Sequence, residues 1–511
     1  VVVVMVPFPA QSHLNQLLQL SHVLSSYDIP VHYVGSALHN SQVKSRASIP
    51  LHHLTKIHFH DFPTPVFRSS PLNPDAKTKF PEHDLPLLKA ITVLRQPVTA
   101  LLQSLSKTAT RLVVVYDTFM ASLVQDVVSL PNAEAYSFDS ASIFSCFTIT
   151  CKALGRRDKV RIKNLPSAKS CFPSVFINFM FSQAIISDIF KAGSLYNSCR
   201  AIEGSFIDIL ANDNIFGRKK MWSVGPLLET TKFKELRDAD MCLFQWLDKQ
   251  ERSSVLYVSF GTTTTLSDKE IKELALGLER SRVKFIWVLR DADKIDISGE
   301  NEGRRPQLPD GFEERIRGMR MGMVVREWVS QVAILRHTST GGFMSHCGWN
   351  SCTESISMGV PIAAWPMHSD QPFNAVLITD VLKVGVAVME WRQRDELVSS
   401  SMITRAVKKL MASEQGDEIR KRAEKMGEAV KCSVSKGGDS RSEWDSFIAH
   451  ITRKGSSVKN HKIHSIRLKL AILLVHLSVP FVFGSNFFNA KKVRMFVCFF
   501  FLSLIIFLFI F

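Results

Sequence analysis

The feature that most constrains this chain is a repeated pattern of short, wholly apolar runs, each followed by a loop and an amphipathic stretch. Residues 1–6 (VVVVMV), 30–35 and 112–116 (LVVVY) read as buried strands in the first half. A second series begins near Ser254 with SVLYVSFG and continues through KFIWVLR, GMVVREW, GGFMSH and PIAAWP. Runs without polar alternation belong to parallel strands covered on both faces by crossover helices, so the fold class is α/β. Two such series in 511 residues predict two doubly wound units, because a single core stops growing well short of that length. Open α/β sheets bind ligands at the carboxyl ends of their strands, which puts the expected site in the cleft between the units.

The expected organisation is an N-terminal unit over 1–227, a linker over 228–250, a C-terminal unit over 251–435, a helix over 436–453 and a basic, apolar tail over 454–511. Ser267 and Glu270 form a capping box ahead of a helix from Asp268 to Arg280. Ile419, Ala423, Met426 and Val430 share one face of a later helix. The net charge of +16 would suggest a nucleic acid or a membrane, but nine basic residues and no acidic one lie in 453–511, leaving +7 on the rest. No aromatic-interleaved basic motif accompanies them, so nucleic acid is not an expected partner. The run Met495–Phe511 sits at the short limit of a membrane helix. It reads as a tail anchor or, preferably, as translated noncoding sequence, and only the first would bring the protein to a membrane.

Nine cysteines at irregular spacings, with no signal peptide ahead of the first strand, lead to the expectation of a reducing, cytoplasmic setting. Cys347 and Cys352 near His346 and His368 are metal-ligand types, but the paired spacing of a zinc site is not completed, so no metal is expected. No two of the 24 glycines are separated by one residue, which excludes the GxGxxG dinucleotide fingerprint. GxSxG and GxxxxGK[ST] are absent too, against hydrolase and P-loop readings.

Three segments carry chemistry. In GGFMSHCGWNS, His346 ends a strand, Gly348 allows close backbone approach, and Trp349, Asn350 and Ser351 open a helix. Free amides and the positive end of the helix dipole then face one point, which suits a diphosphate, although a plain capped turn would look similar. PFPAQSHLNQ follows the first strand and puts His13 at a loop-to-helix junction, while Asp117 follows LVVVY at the same sheet edge. A lone His at such a junction is more often structural, and a carboxylate on its other ring nitrogen would fix its tautomer. SFGTTTT adds a Thr-rich turn that includes Thr262.

The segment Trp328–Gln371, WVSQVAILRHTSTGGFMSHCGWNSCTESISMGVPIAAWPMHSDQ, resembles the signature box of plant secondary-product glycosyltransferases. Its Trp-x-x-Gln opening, HCGWNS centre, Glu three residues on and Asp-Gln close are all in register. HYVG, ALLQSLS, KFIWVLRDADK, GFEER, MHSDQPFNAVL and FIAHIT look like the zeatin O-glucosyltransferase branch, over residues 1 to about 453. The resemblance implies a GT-B fold of two facing Rossmann-like domains and an inverting transfer of glucose from UDP-glucose to the side-chain hydroxyl of a zeatin-type cytokinin, giving an O-β-glucoside. By the same resemblance Trp328 stacks on uracil, the Val329 backbone pairs with its edge, and Gln331 and Glu354 bind the ribose. Thr262, His346, Asn350 and Ser351 hold the phosphates, Trp349, Asp370 and Gln371 contact the sugar, and His13 is the general base with Asp117 behind it.

The partners implied are UDP-glucose and a small-molecule acceptor, with no metal or other cofactor, and the chain is expected to work as a monomer. Ser12 stands where the pattern has Gly and Ser330 where it has Pro, and residues 146–182 match the branch poorly. A Ser at 12 requires a negative φ. Two alternatives stay open on the sequence: a glucosyltransferase for flavonoid or phenolic hydroxyls, and a catalytically dead UDP-sugar or hormone binding protein.

Overall fold

The computed structural model describes residues 1–46, 56–63, 72–156, 162–212, 219–228, 238–290 and 306–454. The first sheet comprises β1 (Val2–Val6), β2 (Val31–Ser36), β3 (Ile57–Phe62), β4 (Leu112–Asp117), β5 (Ala133–Asp139), β6 (Gly193–Tyr196) and β7 (Lys220–Ser223), in the order β3-β2-β1-β4-β5-β6-β7. The second comprises β8 (Val255–Ser259), β9 (Lys284–Val288), β10 (Gly322–Val325), β11 (Thr340–Ser345), β12 (Ile362–Ala364) and β13 (Gly385–Ala387), in the order β10-β9-β8-β11-β12-β13. All pairings are parallel. Strand order reverses between β1 and β4 and again between β8 and β11, so each sheet has a switch point where ligands collect. These are the two α/β units expected from the apolar runs.

Alternation explains why β1 and β4 read as continuous apolar runs. Val3, Met5, Val113 and Val115 point to one face, where the helix Gln11–Ser25 covers them with Leu14, Leu17 and Leu18. Val4, Val6, Val114 and Tyr116 point to the other, under Val98 and Leu102 of the helix Arg95–Thr108. With both faces covered, no position tolerates a polar side chain. β3 (IHFHDF) is an edge strand with polar positions, and β6, β7 and β13 are three or four residues long, so none of them stands out from its surroundings in the sequence.

The capping box is formed in both arms: the Glu270 N–H donates to Ser267 Oγ and the Ser267 N–H donates to Glu270 Oε2 at 2.7 Å. Glu270 also pairs with Lys79 of the first unit at 2.7 Å, so the cap of a C-terminal helix ties the two units together. The helix Glu414–Val434 buries Ala423 and Val430, with Met426 at the margin, against the helix Trp349–Ser357 and Cys199 and Ile202 of the first unit, while Ile419 enters the second unit's core beside Ile403 and Leu410. The helix Asp439–Thr452 then lies on the first sheet, with Trp444, Phe447 and Ile451 in the same cluster as Val3 and Val113. The chain therefore passes from the first unit to the second and back. Of the expected linker, Asp238–Leu247 is helical, and residues 229–237 lie outside the described residues, as does the tail from 455 on.

Phe447 is fully buried, with ring centroids 5.4 Å from Tyr136 and 5.1 Å from Trp222. Phe447→Ala should cost about 3–5 kcal/mol. A lowered thermal midpoint of the purified protein checks this, and an unchanged midpoint would mean that the returning helix adds no packing energy.

Candidate active site

The anion-facing turn of the second unit is built tightly. β11 ends at Ser345, Cys347 takes a left-handed conformation (φ 64°), and the helix Trp349–Ser357 starts immediately after Gly348. Such a φ is uncommon for a residue with a Cβ, and two hydrogen bonds hold it: Cys347 N–H to Ser345 Oγ at 3.1 Å, and Asn374 Nδ2 to the Cys347 carbonyl at 2.9 Å. The His346 ring is wedged between Gly261 and Gly348, where an added Cβ would lie 2.6 or 2.5 Å from its Nε2. Burial pushes this imidazole down to about 4, so it sits there neutral. No side chain caps the Trp349 helix, and its first-turn amides keep their donors.

Around that turn the box residues form a network. Gln331 Nε2 donates to Ser351 Oγ at 3.0 Å and to Glu354 Oε2 at 2.7 Å, and Tyr257 OH donates to Gln331 Oε1 at 3.4 Å. Ser330, in the place of a proline, caps the helix Gln331–Arg336 by accepting from Ala333 N. The guanidinium groups of Arg46 and Arg290 lie 5.1 and 5.5 Å from the centre of the Trp328 ring. Trp349 donates its indole N–H to the Asn197 carbonyl at 2.8 Å, so what it presents to a ligand is its backbone. Gln371 Oε1 accepts from the N–H groups of Met367 and His368, and its Nε2 lies 3.3 Å from His368 Nε2. Burial raises the Asp370 carboxyl, opposed by a hydrogen bond from Asn374 and by His13.

In the first unit His13 lies in the opening turn of the helix Gln11–Ser25, and its Nδ1 donates to Asp117 Oδ2 at 2.6 Å. Asp117 Oδ1 accepts from Phe119 N at 3.0 Å, which fixes the carboxylate. Ser140 Oγ lies 2.7 Å from His13 Nδ1 and 3.3 Å from Asp117 Oδ2, a third member that no sequence pattern indicated. Burial works against an imidazolium at His13, but the charge and hydrogen bond of Asp117, helped by Asp370, outweigh it and raise the pKa above the ordinary value. With Nδ1 committed, Nε2 is the atom left to take a proton. Ser12 is helical, with a φ outside the left-handed region, so it is accommodated where the pattern has Gly. Its carbonyl accepts from Asn350 Nδ2 at 3.0 Å, and Gln16 Nε2 donates to Asn350 Oδ1.

Asn374, fully buried, joins the halves. Its Nδ2 donates to the Cys347 carbonyl and to Asp370, while its Oδ1 accepts from Ser142 Oγ at 2.7 Å and Ser145 Oγ at 2.9 Å, both in the first unit. The structure brings every residue given a catalytic or UDP-sugar-binding role, from His13 and Asp117 to Thr262, Val329 and Gln371, onto the wall of one cavity of about 510 Å³, while Cys347 and Cys352 lie outside its lining. Its other wall is aromatic: Phe8, Phe80, Phe119, Phe172, Phe176 and Phe181. These come from separate segments, and no spacing in the sequence links them. Among the described residues, no group of three or more His, Cys, Asp or Glu is placed to share a metal ion.

Residues 1–229 match the family described as glycosyltransferase, N-terminal domain, and residues 232–420 match UDP-glucoronosyl and UDP-glucosyl transferase. The chain is 49% identical over 458 residues to zeatin O-xylosyltransferase of Phaseolus vulgaris, covering 89% of this chain and 98% of that protein. The chain belongs to the UDP-glycosyltransferase family. It is 48% identical to zeatin O-glucosyltransferase of Phaseolus lunatus, covering 89% of this chain and 97% of that one. Among solved structures it resembles Phytolacca americana UGT2 complexed with UDP-2fluoro-glucose and pterostilbene, at 25% identity, with a TM-score of 0.67 and coverage of 88% of this chain and 100% of that chain.

A UDP-glycosyltransferase moves a sugar from a UDP-sugar to a hydroxyl of a small molecule, which calls for an anion seat and a proton acceptor on opposite sides of one cavity. This UDP-glycosyltransferase has groups suited to both. Asp117→Asn should lower the pKa of the His13 ring, because it removes the charge that overcomes burial. An NMR titration of the ring checks this, and an unmoved or raised midpoint would deny the carboxylate that role. Asn374→Ala should leave the Cys347 carbonyl and one hydroxyl of the mutually bonded Ser142–Ser145 pair short of a partner, at about 1–3 kcal/mol per group. Its thermal midpoint should fall and its affinity for UDP should weaken together; loss of neither would show that the seam forms without it.

Proposed function

We propose that this UDP-glycosyltransferase transfers glucose from UDP-glucose, with inversion, to the side-chain hydroxyl of a zeatin-type cytokinin, giving an O-β-glucoside. The observation that carries the reading is the His13–Asp117 pair, 2.6 Å apart, across the cavity from the uncapped start of the Trp349 helix. His13 Nε2 takes the hydroxyl proton as the acceptor oxygen bonds to the anomeric carbon, while the bond from that carbon to the UDP oxygen breaks. The proton stays on the imidazole, where Asp117 stabilises it. The charge that develops on the leaving diphosphate is met by the first-turn amides of the Trp349 helix and by Thr262, His346, Asn350 and Ser351, a set suited to the task without a metal.

Uracil stacks on Trp328, with the Val329 backbone at its edge and Gln331 and Glu354 at the ribose. Asp370, Gln371 through its Nε2, and the Trp349 backbone bind the sugar hydroxyls. Two adjustments accompany donor binding in this reading: Asn350 exchanges its contacts with Ser12 and Gln16 for phosphate, and the guanidinium groups over Trp328 make room for the base. The likeness to zeatin-acting relatives supports the acceptor, and the Trp and Gln that open and close the box support glucose. The aromatic wall favours one second reading, a phenolic acceptor.

Purified protein would be incubated with UDP-glucose or UDP-xylose and with trans-zeatin, cis-zeatin or quercetin, with UDP and glycoside quantified. Zeatin glucoside is expected, with His13→Ala reducing kcat roughly 10²–10⁴-fold. Xyloside alone would move the donor to UDP-xylose, and quercetin glucoside alone would favour the second reading. UDP-glucose binding without any product would make the protein a binder.

A further inference from the structure

The acceptor side of the cavity holds a carboxylate that the transfer step leaves unused. Asp139 is the last residue of β5, the strand beside β4, and its register neighbour Phe138 pairs with Asp117. It ends at the same sheet edge as the His13–Asp117 pair and lines the cavity next to Ser140. Thr118 Oγ1 donates to its Oδ1 at 2.8 Å, which fixes the side chain. Its Oδ2 has no donor among the described residues, yet is not sealed from the cavity. Lys191, the cation that acts on it, is paired with Asp188 at 2.7 Å. Burial pushes the carboxyl up to about 6, with Lys191 and the Thr118 hydroxyl opposing, as for a group short of partners.

An acceptor oxygen lacking a donor, on the wall of a cavity that also carries the phenylalanines, is a recognition group that an incoming molecule completes. Neighbouring strands stand about 4.8 Å apart, so a ligand with its hydroxyl at His13 would put atoms roughly one ring farther along the molecule at Asp139. With only Oδ2 open, the fit is to a single donor. A second hydroxyl there would compete for the sugar if it swung round to His13, whereas an N–H donates without offering that competing oxygen. We infer that Asp139 Oδ2 accepts a hydrogen bond from an N–H of a nitrogen-heteroaromatic acceptor and thereby selects such acceptors over alcohols that lack one. Asp139 takes no part in proton transfer to or from the reacting hydroxyl; it is a specificity residue. This role rests on the acceptor reading above.

Asp139→Asn tests it, because Asn keeps an oxygen for Thr118 and turns an NH₂ toward the cavity in place of Oδ2. The acceptors compared are trans-zeatin and cinnamyl alcohol, which shares the allylic hydroxyl on a flat frame but has no N–H. A hydrogen bond to a charged group contributes about 1.5–3 kcal/mol, so the variant should raise KM for trans-zeatin about 10–100-fold. UDP affinity and kcat/KM for cinnamyl alcohol should stay at the wild-type values. Equal losses on both acceptors, or undiminished use of trans-zeatin, would overturn the role while leaving the acceptor reading in place. Wild-type enzyme that glucosylates cinnamyl alcohol but not trans-zeatin would overturn both. If neither acceptor is turned over, calorimetric binding of trans-zeatin decides: weakened binding in the variant supports the role, and equal binding rejects it.

Discussion

Four hydrogen bonds converge on the buried amide of Asn374, and the rest of the site depends on them. Two run to the Cys347 carbonyl in the anion-facing turn and to the Asp370 carboxylate, and two come from the start of the helix Ile143–Ala153 in the other unit. A buried amide with all its capacity met is stable in one arrangement only, since any shift of one unit against the other leaves some of these groups unpaired in a dry seam. The left-handed Cys347 is held by the same side chain. The shape of the anion-facing turn and the relative placement of the two sheets are therefore one problem with one solution.

Within that frame the diphosphate seat and the His13 side of the cavity differ in electrostatic character. The donor side offers neutral imidazoles, amide N–H groups and a helix terminus, all suited to negative charge arriving from outside. The acceptor side holds Asp117, paired with His13 and placed to stabilise a proton there, and separately Asp139, placed to accept from an N–H. Glycosyl transfer moves a proton toward one side as negative charge grows on the other, so both changes are favoured by charges already in place before substrates arrive.

Much of this was legible in the sequence where function is carried by contiguous residues at strand ends. β1, β4, β8 and β11 show themselves because both faces are covered, and the capping box at Ser267 fixes a helix start to within a residue. The box from Trp328 to Gln371 is readable because one strand, turn and helix carry most of it. Other features were not. Asp139 ends and Ser140 follows a strand whose sequence, AEAYSFD, carries Glu134 and Ser137 among its apolar positions. The six phenylalanines of the acceptor wall meet only through tertiary packing. Nor does a sequence tell which atoms of a side chain the protein itself occupies: the indole N–H of Trp349, the Oε1 of Gln371 and the whole amide of Asn350 are engaged with other parts of the chain.

The return of the helix Asp439–Thr452 to the first sheet has a mechanical consequence. Because the backbone passes between the units twice, the units are joined like a door on two pins rather than a ball on a string. Two covalent connections leave the units fewer ways to twist or slide past each other than one would. The carboxyl edges of the two sheets, which carry the donor and acceptor groups, are thereby held to one alignment by the backbone as well as by the Asn374 seam.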